Sequence, residues 1–445
     1  MARPRGADPV RSDVAHLLRR TGFGAPAATV DDLADLGYAG AVDEVLRSLT
    51  APDPAADAVD PPSFDTVGYL QRVRGDRAAQ QAAQQQARTE ARSLVAWWLR
   101  RMVAADHPAR EKLTFLWHDH FATSLVKVKV AELLHLQWQT LQQLATGPYD
   151  DLVRAMTVDP AMLVWLDGRH STNEAPNENY GRELLELFTL GHGDGHHAGQ
   201  PYTEADVREV ARALTGWVIR PDGSTVLEPA RHDAGPKRIL GEIGSLGLDD
   251  VVRLTTRHEA CAPHVVSRLW SRLAFPVDPA DEVVTDLAPA FGRDLDVGAL
   301  LRRLLLHPAF RSDVARTGLV RMPVDFVVGT LRALPVELPE EVLLSSLHAL
   351  GQLPFVPPDV AGWPKNEAWL STASAQARFG FAVAVATRAE VPEVADATPA
   401  ERPAVLARLL SVDGWHGATA AALVDAPDQR RALTIALASP ENLVA

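Results

Sequence analysis

A single cysteine, Cys261, stands among 445 residues. No disulfide can form within the chain, so the fold must hold by packing, the ordinary situation in a reducing compartment. Positive charge is also short: Lys and Arg number 44 against 57 Asp and Glu, a formal charge of −13. Binding a nucleic-acid backbone needs a net basic face, which the short clusters Arg100-Arg101 and Arg302-Arg303 do not supply, so no nucleic-acid partner is expected. No apolar run is long enough for a helical membrane span. Met1 to Val10 carries Arg3 and Arg5 but no apolar segment of signal-peptide type, which makes a cytoplasmic location the expectation. No glycine-rich phosphate loop follows a strand, and the Gly-x-Ser-x-Gly nucleophile elbow is missing, which removes nucleotide-binding and serine-hydrolase readings.

What is present is apolar spacing of helical period along most of the chain, with 47% hydrophobic residues to build a large core. The expected fold is mostly α, one large multi-helix domain with a small β-hairpin near 217–227. Residues 1–50 read as N-terminal helices, 63–388 as the main helical body and 389–445 as C-terminal helices packing on it. A helix is expected from Ser12, as N-cap, to Arg20, and one long helix over 69–104 with a solvated Gln-rich middle. The hairpin is Trp217 to Arg220, a Pro-Asp-Gly turn at 221–223, and Ser224 to Leu227.

The most informative stretch is Pro176 to Gly191. Asn177 and Asn179 can cap free first-turn amides, and Gly191 can take the left-handed conformation that ends a helix. At about 100° per residue, Tyr180, Leu184, Leu187 and Phe188 form one apolar arc, and Glu183 falls inside it with Glu186 on its edge. A buried unpaired carboxylate costs several kcal/mol, so Glu183 is expected to be buried and to have a cation, a metal or several donors in reach. Arg182 is adjacent, and Arg208 and Arg212, spaced i, i+4 on the helix that Thr203 and Asp206 open with a capping box, could supply counter-charge.

A second motif is Trp117-His118-Asp119-His120-Phe121. In a helix the two rings diverge by about 200°, so one metal on both requires unwinding near Ala122; otherwise His120 is a core histidine beside Leu113, Leu116, Trp117 and Phe121, and His118 a surface one. The glycine-rich loop His192 to His197 reads as solvated. Arg231 to Lys237 offers the His232/Asp233 pair and Lys237. Leu353 to Trp369 is proline-stiffened, and Trp363 and Trp369 either line a pocket or plug the core.

The pieces Leu17 to Gly24, Phe115 to Phe121, Asp159 to Leu163, Asn177 to Gly191, Tyr202 to Trp217, His232-Asp233 with Lys237, and Gly351 to Trp369 occur in a known order. Over about residues 14 to 380 the chain resembles the bacterial domain of unknown function numbered eighteen hundred. The resemblance implies a large, mostly helical protein, without implying an activity. It makes the His192 to His197 loop a local insertion. Genes of that family often neighbour one for an exported protein of the sulfatase and alkaline-phosphatase class, which implies such a protein as partner; many relatives are exported.

Two functional readings follow. One is an enzyme whose cleft gathers Glu183, Glu186, His120, Arg182, Arg208, His232 and Asp233 as catalytic groups, with Asn177, Asn179, Tyr202, Trp217, Lys237, Trp363 and Trp369 binding a sugar-like or anionic substrate. Its carboxylates and histidine suit either acid–base work or a divalent metal held by His118, His120 or Glu183. The other is a non-catalytic helical partner or assembly factor for the sulfatase- or phosphatase-like protein, with the same polar residues as a structural network.

Overall fold

Short polar residues start the helices wherever the chain turns inward. Asp159 accepts from Met162 N at 2.9 Å with Pro160 behind it. Thr203 accepts from Asp206 N at 3.2 Å while the Asp206 carboxylate accepts from Thr203 N at 2.8 Å, a complete capping box. The computed structural model describes residues 8–192 and 201–444; the expected solvated loop His192 to His197 lies, but for His192, outside it. The described residues form 26 α-helices and two small antiparallel strand pairs. The fold is therefore mostly α. Among the described residues no helix is long and apolar enough to cross a membrane.

The hairpin pairs Trp217–Ile219 with Thr225–Leu227 in the register Trp217↔Leu227, and Gly223 at φ 81° closes the turn. A second pair, Lys237–Ile239 with Glu242–Gly244, follows it. The expected long helix over 69–104 is two, Thr66–Val73 and Arg77–Ala104. Asp76 caps Ala79 N at 2.9 Å just after Gly75, and local capping wins over the Ala/Gln propensity on either side. The first helix starts earlier than expected, at Pro9, capped by Asp8. Ser12 is instead buried and receives Arg316 Nη1 at 2.9 Å.

Two apolar clusters make the core. The first gathers the N-terminal helices, Tyr149 to Met156, Tyr180 to Leu190 and the helices between 248 and 306. The second gathers the end of Arg77–Ala104, Ala131–Leu144, Pro323–Ala333 and the C-terminal helices, including Val391, Val394, Leu406 and Leu433. The helix Pro108–His120 runs between them: Leu113, Leu116 and Trp117 belong to the first cluster and Phe115 to the second. Both of its faces are covered, so both histidines at its end are buried, His118 1% and His120 5% exposed. The surface position expected for His118 does not exist, because Trp98, Phe355 and Trp363 surround its ring.

Candidate functional site

The helix that begins at Glu178, capped by Asn177 on Tyr180 N at 3.1 Å, does not stay α. From Leu184 to Thr189 it is a π-helix: Leu190 N reaches back to Leu185 O and Thr189 Oγ1 to Leu184 O, both at 2.7 Å. Such segments are rare and shift the phase of every later side chain. The carbonyls this leaves open are taken by side chains. His264 Nε2 donates to Leu187 O at 3.0 Å, and the Tyr149 hydroxyl donates to Phe188 O. Gly191, at φ 77°, ends the segment where a Cβ would lie 2.8 Å from the His264 ring.

Since the Tyr149 proton goes to Phe188 O, His120 Nε2 must donate to the Tyr149 oxygen, 2.8 Å away. His118 Nε2 does the opposite and accepts from Phe355 N at 3.0 Å. The two rings therefore point into different clusters as opposite tautomers, each with Nε2 occupied. Burial pushes His118 and His264 down to about 4 and His120 well below its ordinary range. Among the described residues no group of three or more His, Cys, Asp or Glu is placed to hold a metal. The metal set expected from His118, His120 and Glu183 does not come together, because the helix stays wound to His120.

Asp119, between those histidines, is the closed counterpart of Glu183. It is 2% exposed, accepts from Arg272 Nε at 2.6 Å and from Trp363 N at 2.8 Å, and the two arginines Arg272 and Arg268 hold its carboxyl below the usual range against the effect of burial. Gly362, at φ 91°, passes so close that a Cβ there would overlap the Asp119 carboxylate. Glu183 is only half-buried and makes no hydrogen bond or ion pair among the described residues. The expected burial and pairing of this carboxylate are not what the fold provides. Its carboxyl is shifted upward by partial burial and by Glu186, with Asp359 adding to the effect. Glu186 meets His192 Nε2 at 3.0 Å and the Tyr202 hydroxyl at 3.4 Å.

The remaining expected site residues scatter. Arg182 turns outward into a two-pronged pair with Glu204, 2.7 and 2.6 Å. Arg208 and Asn179 are exposed. Asp233 binds Arg212 Nε at 2.7 Å, His232 Nδ1 donates to Thr215 O at 2.9 Å, and Lys237 is tied to the carbonyls of Asp233 and Gly235. Trp217 sits half-buried in the hairpin. Trp363, stacked on Phe115 with centroids 5.3 Å apart, and Trp369 are part of the second cluster, so these indoles plug the core. The seven expected catalytic residues do not form one cleft.

A different group does. A cleft of about 260 Å³ is lined by Arg19 and Arg20 of the first helix, Lys112, Arg268 and Arg272 of the helix Cys261–Leu273, and Arg321 and Lys365; Asp325 is the only acidic residue in its lining. Lys112 is paired with Asp325 at 2.5 Å, and Arg321 is held by Asn442 Oδ1 and Asp325 O, each at 2.9 Å. The side chains of Arg19, Arg268 and Lys365 make neither a hydrogen bond nor an ion pair among the described residues. Burial, with repulsion from neighbouring cations, pushes Arg20 down to about 9, Arg268 to about 10 and the Lys365 amine to about 7. Lys365 is exposed as a residue, so that drop reflects the surroundings of its amine, next to Arg272 and Arg268. Sequence reasoning missed this cleft, whose cations come from five separate segments. One signal was available: Arg20 shares the helical face of His16 and Leu17, a basic side chain on the inward side.

Three of the segments that carry the family order either line the cleft or hold a residue that lines it, Asp119 through its bond to Arg272. Arg19-Arg20 comes from Leu17 to Gly24, Asp119 from Phe115 to Phe121, and Trp363 with Lys365 from Gly351 to Trp369. No curated protein and no solved structure matches the chain. One family does, over residues 16–444, nearly the whole length and including all three of these segments: the chain belongs to the family described as Protein of unknown function (DUF1800).

Proposed function

We propose that the protein binds an anionic ligand in the cleft between Arg19, Arg268 and Lys365. The observation that carries this reading is charge left open. A chain of formal charge −13 gathers seven basic side chains around one cavity with a single acidic residue in its lining. Like charges held close in a poorly solvated site repel one another, and an external anion relieves the repulsion while satisfying the free N–H donors. A structural network would have paired these groups internally, as it does for Arg272 and Asp119.

Asp359 bears electrostatically on both Glu183 and Lys365, a through-space link between the half-buried carboxylate and one cation of the cleft. Glu183, with its raised proton affinity, is the acid–base group nearest in character to what a reaction on a bound anion would need. Calorimetric titration with inorganic phosphate, sulfate and acetate tests the reading. Binding that weakens with added salt and is lost in Arg268→Gln, with the melting temperature not lowered, is the expected result. Absence of binding by the unmodified protein, or binding indifferent to Arg268→Gln, overturns it.

A further inference from the structure

We propose that the ligand of this cleft is a dianionic phosphate monoester bearing a small apolar group, an inference that rests on the anion-binding reading and narrows it. The first ground is where the open donors come from. Arg19 comes from the first helix, Arg268 from the helix Cys261–Leu273 and Lys365 from the loop before the turn Asn366–Trp369. Two more guanidinium groups have donors to spare: Arg20 gives one bond to Ala315 O, and Arg272 gives Nε and one Nη to Asp119. Donors converging from separate walls suit the three terminal oxygens of a phosphate ester, which accept over a hemisphere. A carboxylate accepts in one plane and is fully served by a single arginine fork.

The second ground is charge. Four carboxylates bear on the seven cations, Asp325 on Lys112, Asp119 on Arg272, Arg268 and Lys365, Asp359 on Lys365 and Asp413 on Arg19, which leaves an excess of positive charge around the cavity. A phosphate monoester carries close to two negative charges near neutral pH, whereas a carboxylate or sulfate monoester carries one. The third ground is the shape of the lining. The cavity of about 260 Å³ exceeds what a bare five-atom oxyanion fills, and Pro276, Val277, Leu319 and Met322 give it an apolar side. An organic substituent would bury against these apolar residues, while a free inorganic anion would leave them wet.

Four probes separate the alternatives: phenyl phosphate, phenyl sulfate, benzoate and inorganic phosphate, each titrated calorimetrically into the full-length protein near neutral pH. Phenyl phosphate should bind at least about tenfold more tightly than each of the other three, the margin of roughly one additional charge-assisted hydrogen bond. Arg268→Gln and Lys365→Met should each weaken it by about tenfold; the second variant removes an exposed residue and keeps the test open if the first fails to fold. Benzoate or phenyl sulfate binding as tightly as phenyl phosphate would overturn the phosphate assignment and leave anion binding standing. Inorganic phosphate binding as tightly would overturn the organic substituent. If none of the four binds, both readings fall.

Discussion

On the helix Pro108–His120 the buried carboxylates Glu111 and Asp119 are closed off, while in the cleft and on the helix that begins at Glu178 charges are left open. Asp119 has Arg272 and a backbone amide. Glu111, equally buried, accepts from Trp98 Nε1 at 2.8 Å and from Arg101 Nε and Gln142 Nε2 at 3.2 Å each. Glu183, Arg19, Arg268 and Lys365 have no such partners among the described residues. A charge that is closed off by the fold serves packing, because removing its partner would strand it in the interior. A charge that the fold leaves open serves packing poorly, and its presence is better explained by something that arrives from outside.

The comparison breaks first at Asp119. Asp119→Ala strands Arg272 and Trp363 N, and a loss on the order of 3–5 kcal/mol in denaturant unfolding is expected. A variant as stable as the parent would show that this network is not closed in solution. Gly362→Ala attacks the same carboxylate from the backbone side. The positive φ and the overlap with Asp119 should cost about 1–3 kcal/mol, read as a lowered midpoint in the same titration.

The open side is sharpened by pH. Burial pushes the Lys365 amine down to about 7, with Arg272 and Arg268 adding to the drop and Asp119 and Asp359 opposing it. Only its charged form attracts an anion, so affinity for phenyl phosphate should fall as pH rises through about 7, with proton uptake on binding in two buffers of different ionisation enthalpy. Lys365→Met should flatten that dependence. Because the amine is held below its ordinary range, the unfolded chain binds more protons here, and this group makes the fold less stable as pH falls from the ordinary lysine range to about 7.

Smaller effects are expected on the outer pairs. Arg182→Ala removes an exposed pair with Glu204 and should cost less than about 1 kcal/mol, with phosphate affinity unchanged. Glu183→Gln should shift stability by no more than about 0.5 kcal/mol. The direction is toward greater stability at neutral pH, because the folded state already disfavours the ionised carboxylate. If the Glu183→Gln variant unfolds, this carboxylate is paired after all, and the contrast with Asp119 disappears.

Local features were legible in the sequence where the chemistry is local. Asn177 caps its helix, Gly191 takes positive φ, Thr203 and Asp206 close a capping box, and Pro221 to Gly223 turn the hairpin. The divergence of His118 from His120 followed from helical geometry and stands. The π-segment Leu184–Thr189 was not legible, since its register depends on His264 and Tyr149 reaching carbonyls from other helices. Nor could spacing tell that Arg182 would turn outward to Glu204 and leave Glu183 half in water.

The sequence by itself determined the helical class, the caps and turns, the family and the residues able to carry charge, because each depends on neighbours within a turn or two of chain or on the order of short motifs. The tertiary structure alone decided which charges are closed and which are open. Arg19, Arg268 and Lys365 lie far apart along the chain, and only the packing of helices from its two halves brings them to one cavity.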